Sequence, residues 1–309
     1  MSEVAAAQHD LTGLTRVDLH HLVSLQRPAR SLSLAPGLVK TTEEGPHLSL
    51  FKGRGMEYAE TRPYQEGDDI RQLDWRVMAR TGKPYTKLFR EERERPVLVW
   101  LDLRRDMHFA TRGAFKAVRA SEAAALLAWA AHAQGDRVGA VITGAGTQRM
   151  LRPRRSRPGL LHLLGEMARH PAWDAPPDRP VEPLQLAPLH RLAQPGSLII
   201  LVSDFRHADT QRLERLRVLA RHSELLFVFV HDPFEALLPE AGILPVTDGR
   251  HEALLDSSNP RLRSEHADHF EAHREQLARL ALQSSAPLIT LRTDQDPVQV
   301  LRHRLHTHG

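Results

Sequence analysis

The sequence predicts an α/β fold, a doubly wound and mostly parallel sheet with helices on both faces. Two short runs of uninterrupted apolar residues, Val97 to Leu101 and Leu198 to Val202, each lead to an aspartate, Asp102 and Asp204. A continuous apolar run of that length, bounded by a polar turn, suits a strand buried on both faces. From residue 96 onward, strand-like and helix-like patterns alternate to the end of the chain, which is the order of a doubly wound sheet. Open sheets of this kind place ligand sites at the carboxyl ends of their strands, where both aspartates fall.

In chain order, residues 1–16 read as a disordered start. Val17 to Leu25 has the spacing of a short helix, and the Pro- and Ser-bearing 28–47 reads as loop. Glycine-rich turns and a very polar middle occupy 48–85. Gly67-Asp68-Asp69 there reads as a turn with a helix N-cap, Ile70, Leu73, Val77 and Met78 recur at helical spacing, and Gly82 is placed to end that helix. Tyr85 to Phe89 alternates like a strand. Beyond it the expected strands are 97–102, 137–142, 147–151 after a turn at 144–146, 198–203, 224–230 and 287–292. The expected helices are 114–133, 158–169, 188–193, 209–221, 233–237, 260–284 and 296–306, with a short hairpin around Thr247-Asp248-Gly249. Three parts follow: a start over 1–16, an N-terminal arm over 17–95, and an α/β domain over 96–309. The arm holds too few apolar residues for a core of its own and is expected to pack on the domain.

Composition narrows the function. Hydrophobic residues make up 41% of the chain, enough for a globular core. The mean hydropathy of -0.40 is that of a soluble protein. No apolar run approaches the roughly 20 residues of a membrane helix. The start Met1-Ser2-Glu3 lacks the basic and apolar regions of a secretion signal, and there is no cysteine, so a cytoplasmic protein without disulfides or thiolate sites is expected. The net charge of +4 invites a nucleic-acid reading, but only five of the 42 basic residues are lysine. Compositional bias accounts for arginine as well as phosphate binding does, and runs such as Arg90 to Arg95 interleave acids with arginines. No nucleic-acid partner is expected. The 19 histidines show no zinc-binding spacing. Gly144-Ala145-Gly146 lacks the lysine of a phosphate-binding loop, and no nucleophile elbow surrounds Ser203.

One stretch carries a family resemblance. Gly53 to Trp75, with Arg62, Tyr64, Gly67, Asp68, Asp69, Arg71, Asp74 and Trp75 in order, resembles the signature of the bacterial domain-of-unknown-function-58 family. Ala79-Arg80, Phe89 to Glu94, Asp102 with Met107, and Gly135 to Gly139 extend the match, which covers roughly 17–230. The resemblance implies a von Willebrand factor A-like domain, Rossmann-like in its layers, with a family-specific N-terminal arm. It implies a partnership with MoxR-type AAA+ ATPases in maturing other protein complexes or inserting their cofactors, with no enzymatic activity attached. The arm motif reads as a salt-bridged clasp anchored by a buried Trp75, or alternatively as an exposed recognition surface.

A von Willebrand A domain carries a metal-ion-dependent adhesion site opened by Asp-x-Ser-x-Ser and completed by a loop threonine and a later strand-end aspartate, hard oxygens suited to Mg²⁺. Here the first element is Asp102-Leu103-Arg104-Arg105-Asp106, with both serines replaced. Asp204 fits the later aspartate, and no threonine matches. Arg104 puts a guanidinium where a neutral ligand would stand, so an ion-pair cluster of Arg104 with Asp102 and Asp204 is expected in place of a metal. The alternative keeps Mg²⁺ on Asp102, Asp106 and Asp204. The expected function is a non-enzymatic adaptor or assembly factor without cofactor, binding partners at the strand-end face. The alternatives are a Mg²⁺-dependent hydrolase using the strand-end carboxylates and a basic nucleic-acid-binding scaffold.

Overall fold

The structure is a computed structural model of the chain. It describes residues 13–34, 57–64, 73–90, 94–176, 178–207, 210–247 and 250–305. Two short helices open the described chain, α1 (Leu19–Ser24) and α2 (Gln26–Ala29). They are followed by β1 (Glu57–Pro63), α3 (Trp75–Thr81) and β2 (Tyr85–Arg90). Then come β3 (Pro96–Asp102), α4 (Lys116–Ala133), β4 (Arg137–Gly144), β5 (Thr147–Arg154), α5 (Arg157–Ala168), α6 (Ala187–Leu192) and β6 (Leu198–Ser203). The last part is α7 (Thr210–Ala220), β7 (Glu224–His231), α8 (Pro233–Ala236), β8 (Ile243–Thr247), β9 (Glu252–Asp256), α9 (Pro260–Gln283), β10 (Leu288–Arg292) and α10 (Pro297–Arg304).

The chain divides into two compact units, 1–44 with 95–309, and 45–94. The arm expected over 17–95 is therefore split, and the reason lies in α4. That helix, Ala-rich with Leu126, Leu127 and Trp129, is buried over nearly its whole length. A helix apolar all round needs cover on every side. Residues 17–34 supply part of that cover: Val17, Leu22, Leu25, Ala29, Leu32 and Leu34 join its core cluster. Trp129 Nε1 donates to the Leu22 carbonyl (3.0 Å), and Gln134 donates to the Leu32 carbonyl (3.2 Å). His21 bonds Glu122 at 2.7 Å. Residues 28 and 29, expected to open a loop, instead belong to the helix 26–29. Residues 13–15 form a turn, and Leu14 accepts from the Phe115 N–H.

In the larger unit six strands run in the order β10-β7-β6-β3-β4-β5, parallel except for the β4–β5 hairpin. Every residue of β3 is buried. Its side chains alternate between two cores, Val97, Val99 and Leu101 toward α4 and α5, Leu98 and Trp100 toward α6, α7 and α9. That two-sided burial is why the runs at 97 and 198 lack polar alternation. The doubly wound α/β expectation is met, the turn at 144–146 falls where expected, and β8 and β9 pair antiparallel on either side of the segment expected as a hairpin, with Thr247 opposite Glu252. Among the described residues no helix is long and apolar enough to cross a membrane.

In the smaller unit β1 and β2 pair antiparallel. The helix between them starts later than the Asp68-Asp69 expectation. Its N-cap is Asp74, whose carboxylate accepts from the Arg76 and Val77 amides at 3.1 and 3.2 Å. Gly82 ends it in the left-handed region at φ 69°, as its position suggested.

Candidate functional site at the strand ends

β3 and β6 are parallel neighbours, with Leu101 opposite Val202, so Asp102 and Asp204 reach the same sheet edge. Both are almost completely buried, at 0% and 1% exposure. A carboxylate so placed must be neutralised or fully hydrogen-bonded. Arg104 turns back on Asp102, with Nε at 3.0 Å from Oδ1 and Nη2 at 2.8 Å from Oδ2. The Arg104 amide adds a bond at 2.9 Å, and Ser203 Oγ donates another at 2.6 Å. Two further guanidinium N–H groups go to the carbonyls of Glu182 (2.7 Å) and Arg206 (3.1 Å). Burial works against the Arg104 charge, but the carboxylates of Asp102, Asp204 and Asp106 together outweigh it and hold the pKa above its usual value. The expected reach toward Asp204 is real but long, 4.0 Å from Nη2.

Asp204 has its own cation. Lys116, the first residue of α4, is 0% exposed and donates from Nζ to Asp204 Oδ2 and Glu235 Oε1, both at 2.7 Å. A cation is ordinarily unfavourable at a helix N-terminus. The two carboxylates gathered there reverse that balance, each also favoured by the helix dipole. Burial disfavours charge on both partners, yet the ammonium beside it holds Asp204 down to about 2. The same pairing keeps Lys116 above its ordinary value against burial. Glu235 serves twice, since its other oxygen accepts from the Asp232 amide in the capping box of α8.

The loop after β6 covers this cluster. Phe205 and His207 adopt φ of 53° and 56°. For a bulky residue the left-handed region costs on the order of 1–2 kcal/mol. Phe205 is held there by burial, by a ring contact with Phe227 at 5.7 Å and by its amide bond to Ser203 Oγ at 2.8 Å. Between the two strained residues stands Arg206, with its amide on Asp204 (3.0 Å) and its half-exposed guanidinium 3.5 Å from Glu235. Nearby, Asp232 accepts from Thr111 and Thr293 and ties the 108–113 loop to the end of β10. A Cβ on Gly113 would run into the Thr293 carbonyl, so the loop passes there only as glycine.

The four residues expected at the site thus divide. Asp102, Arg104 and Asp204 come together. Asp106 does not join them as a ligand: it bonds His207 at 2.6 Å and Arg105 at 3.4 Å. Lys116, Ser203 and Glu235 were missed. A signal for Lys116 existed, since a lysine opening a largely apolar, alanine-rich helix, in a chain with few lysines, needs a carboxylate. Ser203 is fully buried between Asp102 and the Phe205 amide, which agrees with setting it aside as a nucleophile.

The donor set does not fit a hard divalent cation. The oxygens of Asp102 and Asp204 that would face a metal already accept from a guanidinium and an ammonium, and Asp106 faces elsewhere. Among the described residues no group of three or more His, Asp or Glu side chains is arranged to hold a metal.

Of the arm motif, Gly67, Asp68, Asp69 and Arg71 lie outside the described residues. The Arg62 backbone pairs with Thr86 in the β1–β2 ladder, and the Tyr64 amide donates to the Pro84 carbonyl at 3.0 Å. Trp75 is no buried anchor. It is 60% exposed on a helix that buries none of its residues, too short and polar to form an apolar face.

Residues 60–276 match the model of the family described as "Protein of unknown function DUF58". This chain belongs to the DUF58 family. An uncharacterized protein of Mycobacterium bovis and one of Mycobacterium tuberculosis are each 32% identical to it over 253 residues, covering 82% of this chain and 79% of theirs. Among solved structures, the conserved hypothetical protein BatB from Bacteroides thetaiotaomicron aligns with 68% of this DUF58 chain and 96% of its own, at a TM-score of 0.42 and 13% identity.

Proposed function

We propose that this DUF58 protein is a non-enzymatic, cytoplasmic adaptor or assembly factor. It acts with a MoxR-type AAA+ ATPase in maturing another protein complex or inserting its cofactor, and it presents the strand-end face to a partner. The ATPase partnership rests on the family resemblance. The observation that supports an adaptor over an enzyme is the pairing of each strand-end aspartate with a buried cation, Asp102 with Arg104 and Asp204 with Lys116. A general base or metal ligand needs a free lone pair facing substrate, whereas these oxygens face protein donors beneath a covering loop. What remains toward solvent is a display of polar groups, Arg206 and His207 on a strained loop with Asp106 bonded to His207. Such a display suits recognition more than turnover.

The test is co-purification of the full chain with the MoxR-type ATPase encoded in the same genome, with and without a metal chelator. The reading expects a complex that survives chelation and is weakened by Arg206→Glu. A phosphatase and nuclease screen runs beside it, and turnover abolished by Asp102→Ala would replace the adaptor with the hydrolase.

A further inference from the structure

On the described surface several arginines have an acid beside them. Arg95 has Asp136 and Glu224, Arg119 has Glu122, Arg217 has Glu214, and Arg274 has Glu271. One region concentrates positive charge. Residues 149–169 hold six arginines against one glutamate, a net of +5 where the whole chain carries +4. Arg152 and Arg154 are exposed on β5, the edge strand of the six-stranded sheet. Arg154 pairs with Val138 near the start of β4, so this charge gathers at the opposite end of the strands from Asp102.

The charge continues onto neighbouring elements. Arg157 at the start of α5 donates from Nη2 to Gln26 Oε1 at 3.3 Å, which brings the α2 segment alongside. Arg27 and Arg30 are exposed there. Arg302 of α10 donates from Nε to Ser31 Oγ at 3.2 Å. Arg27, Pro28, Arg30, Ser31 and Arg302 line one open concavity of about 510 Å³. Among the described residues, Arg27, Arg30, Arg152 and Arg154 form no ion pair. Like charges gathered without an ion pair repel one another, and a polyanionic partner would relieve that repulsion.

The surroundings select the anion. A single-stranded nucleic acid is gripped by aromatic platforms on which bases stack. A membrane is gripped by apolar anchors beside the cations. The one large apolar side chain exposed among the described residues of this strip is Met150, and no aromatic one is. Arg152 and Arg154 are exposed on β5, separated by the less exposed Pro153. Two guanidiniums so close in sequence suit an extended chain that carries several carboxylates. Pro153 and the irregular register opposite Val138 and Ala140 blunt the outer edge against main-chain pairing. Recognition therefore falls to side chains.

We propose that this arginine strip is a docking surface for an acidic, extended segment of a partner protein, held by guanidinium–carboxylate pairs and not by an added strand. The surface is separate from the strand-end face and does not depend on the adaptor reading.

The test uses the full chain and a fluorescent peptide of alternating glutamate and serine, followed by anisotropy at low salt. A thymidine oligonucleotide of equal charge and phosphatidylserine vesicles are the competing arms. The peptide is expected to bind more tightly than either. Arg152→Glu with Arg154→Glu, and separately Arg27→Glu with Arg30→Glu, should each weaken it at least about tenfold. The same charge change at two ion-paired arginines of α9, Arg261→Glu with Arg274→Glu, should weaken it less than about twofold. Circular dichroism confirms folding, and glutamine versions at the strip should act in the same direction if a reversal proves insoluble. No peptide binding, equal loss in the α9 control, or tighter binding of oligonucleotide or vesicles would each overturn the proposal.

Discussion

The two ends of the sheet handle charge in opposite ways. At the carboxyl ends of β3 and β6, carboxylates and cations are buried together, with Asp102, Lys116 and Asp204 each at or below 1% exposure. At the amino ends, Arg152 and Arg154 of β5 and Arg27 and Arg30 of the α2 segment stand exposed and, among the described residues, form no ion pair. A buried charge left alone costs several kcal/mol, so each such group must be met by a partner within the fold. An exposed arginine carries little such penalty, because water solvates it. The first arrangement is therefore fixed by the chain's own stability, and its role is to hold a loop in shape. The second is free of that constraint, which leaves its charge open for a partner. Stability and binding should respond to mutation in opposite ways at the two ends.

The largest effect should come from Lys116→Met. It removes the ammonium from two buried carboxylates and should cost about 3–5 kcal/mol in chemical denaturation. A loss below about 1 kcal/mol would mean that water reaches Asp204 and Glu235 and that the cluster is not sealed.

Acid should act next, through two histidines beside the strand-end face. Burial, reinforced by Arg179, lowers His108 from 6.5 to about 4, and burial with Arg149 and Arg179 lowers His170 from 6.5 to about 4. Above pH 6.5 neither the folded nor the unfolded state holds these protons. Below it the unfolded chain takes them up first, so stability falls until about pH 4, where the folded state also protonates. The loss is at most roughly 3 kcal/mol per histidine. Denaturation between these pH values should show the decline, and His170→Gln should flatten it. His21 runs the other way, since its bond to Glu122 raises its pKa and its stabilising effect is present below pH 6.5 and fades as pH rises through the folded-state value.

The smallest effect on stability should be at the strip. Arg152→Glu with Arg154→Glu should shift unfolding by no more than about 0.5 kcal/mol. A larger destabilisation would show that these arginines are part of the fold and would erase the contrast between the two ends.

How much of this was legible in the sequence follows the same division between local and distant contacts. β3 and β6 could be read because burial on both faces erases polar alternation within the strand itself. Helix ends were close where local chemistry marks them, as at Ser156 before α5 and Asn259 before α9, whose side chains cap the following amides. The pair Asp102–Arg104 was readable because two positions separate its members. Lys116 with Asp204 spans 88 positions and with Glu235 spans 119, and no local pattern announces such a contact. The segment 17–34 was grouped with the arm for the same reason, because its packing partner is α4 far along the chain. Trp75 was misread because an aromatic in a polar stretch suggests an anchor, and nothing local reveals that its helix buries no face.

The central claim is that Arg104 and Lys116 supply the charge that a divalent ion would otherwise bring to Asp102 and Asp204. Thermal melting of the parent protein and of Arg104→Ser across a Mg²⁺ titration tests it most directly, because an ion that binds only the folded state raises the melting temperature. The parent should melt at the same temperature with Mg²⁺ or chelator, while Arg104→Ser should melt lower and recover part of the loss as Mg²⁺ is added. A clear stabilisation of the parent at sub-millimolar Mg²⁺ would contradict the claim and return a metal to the strand ends.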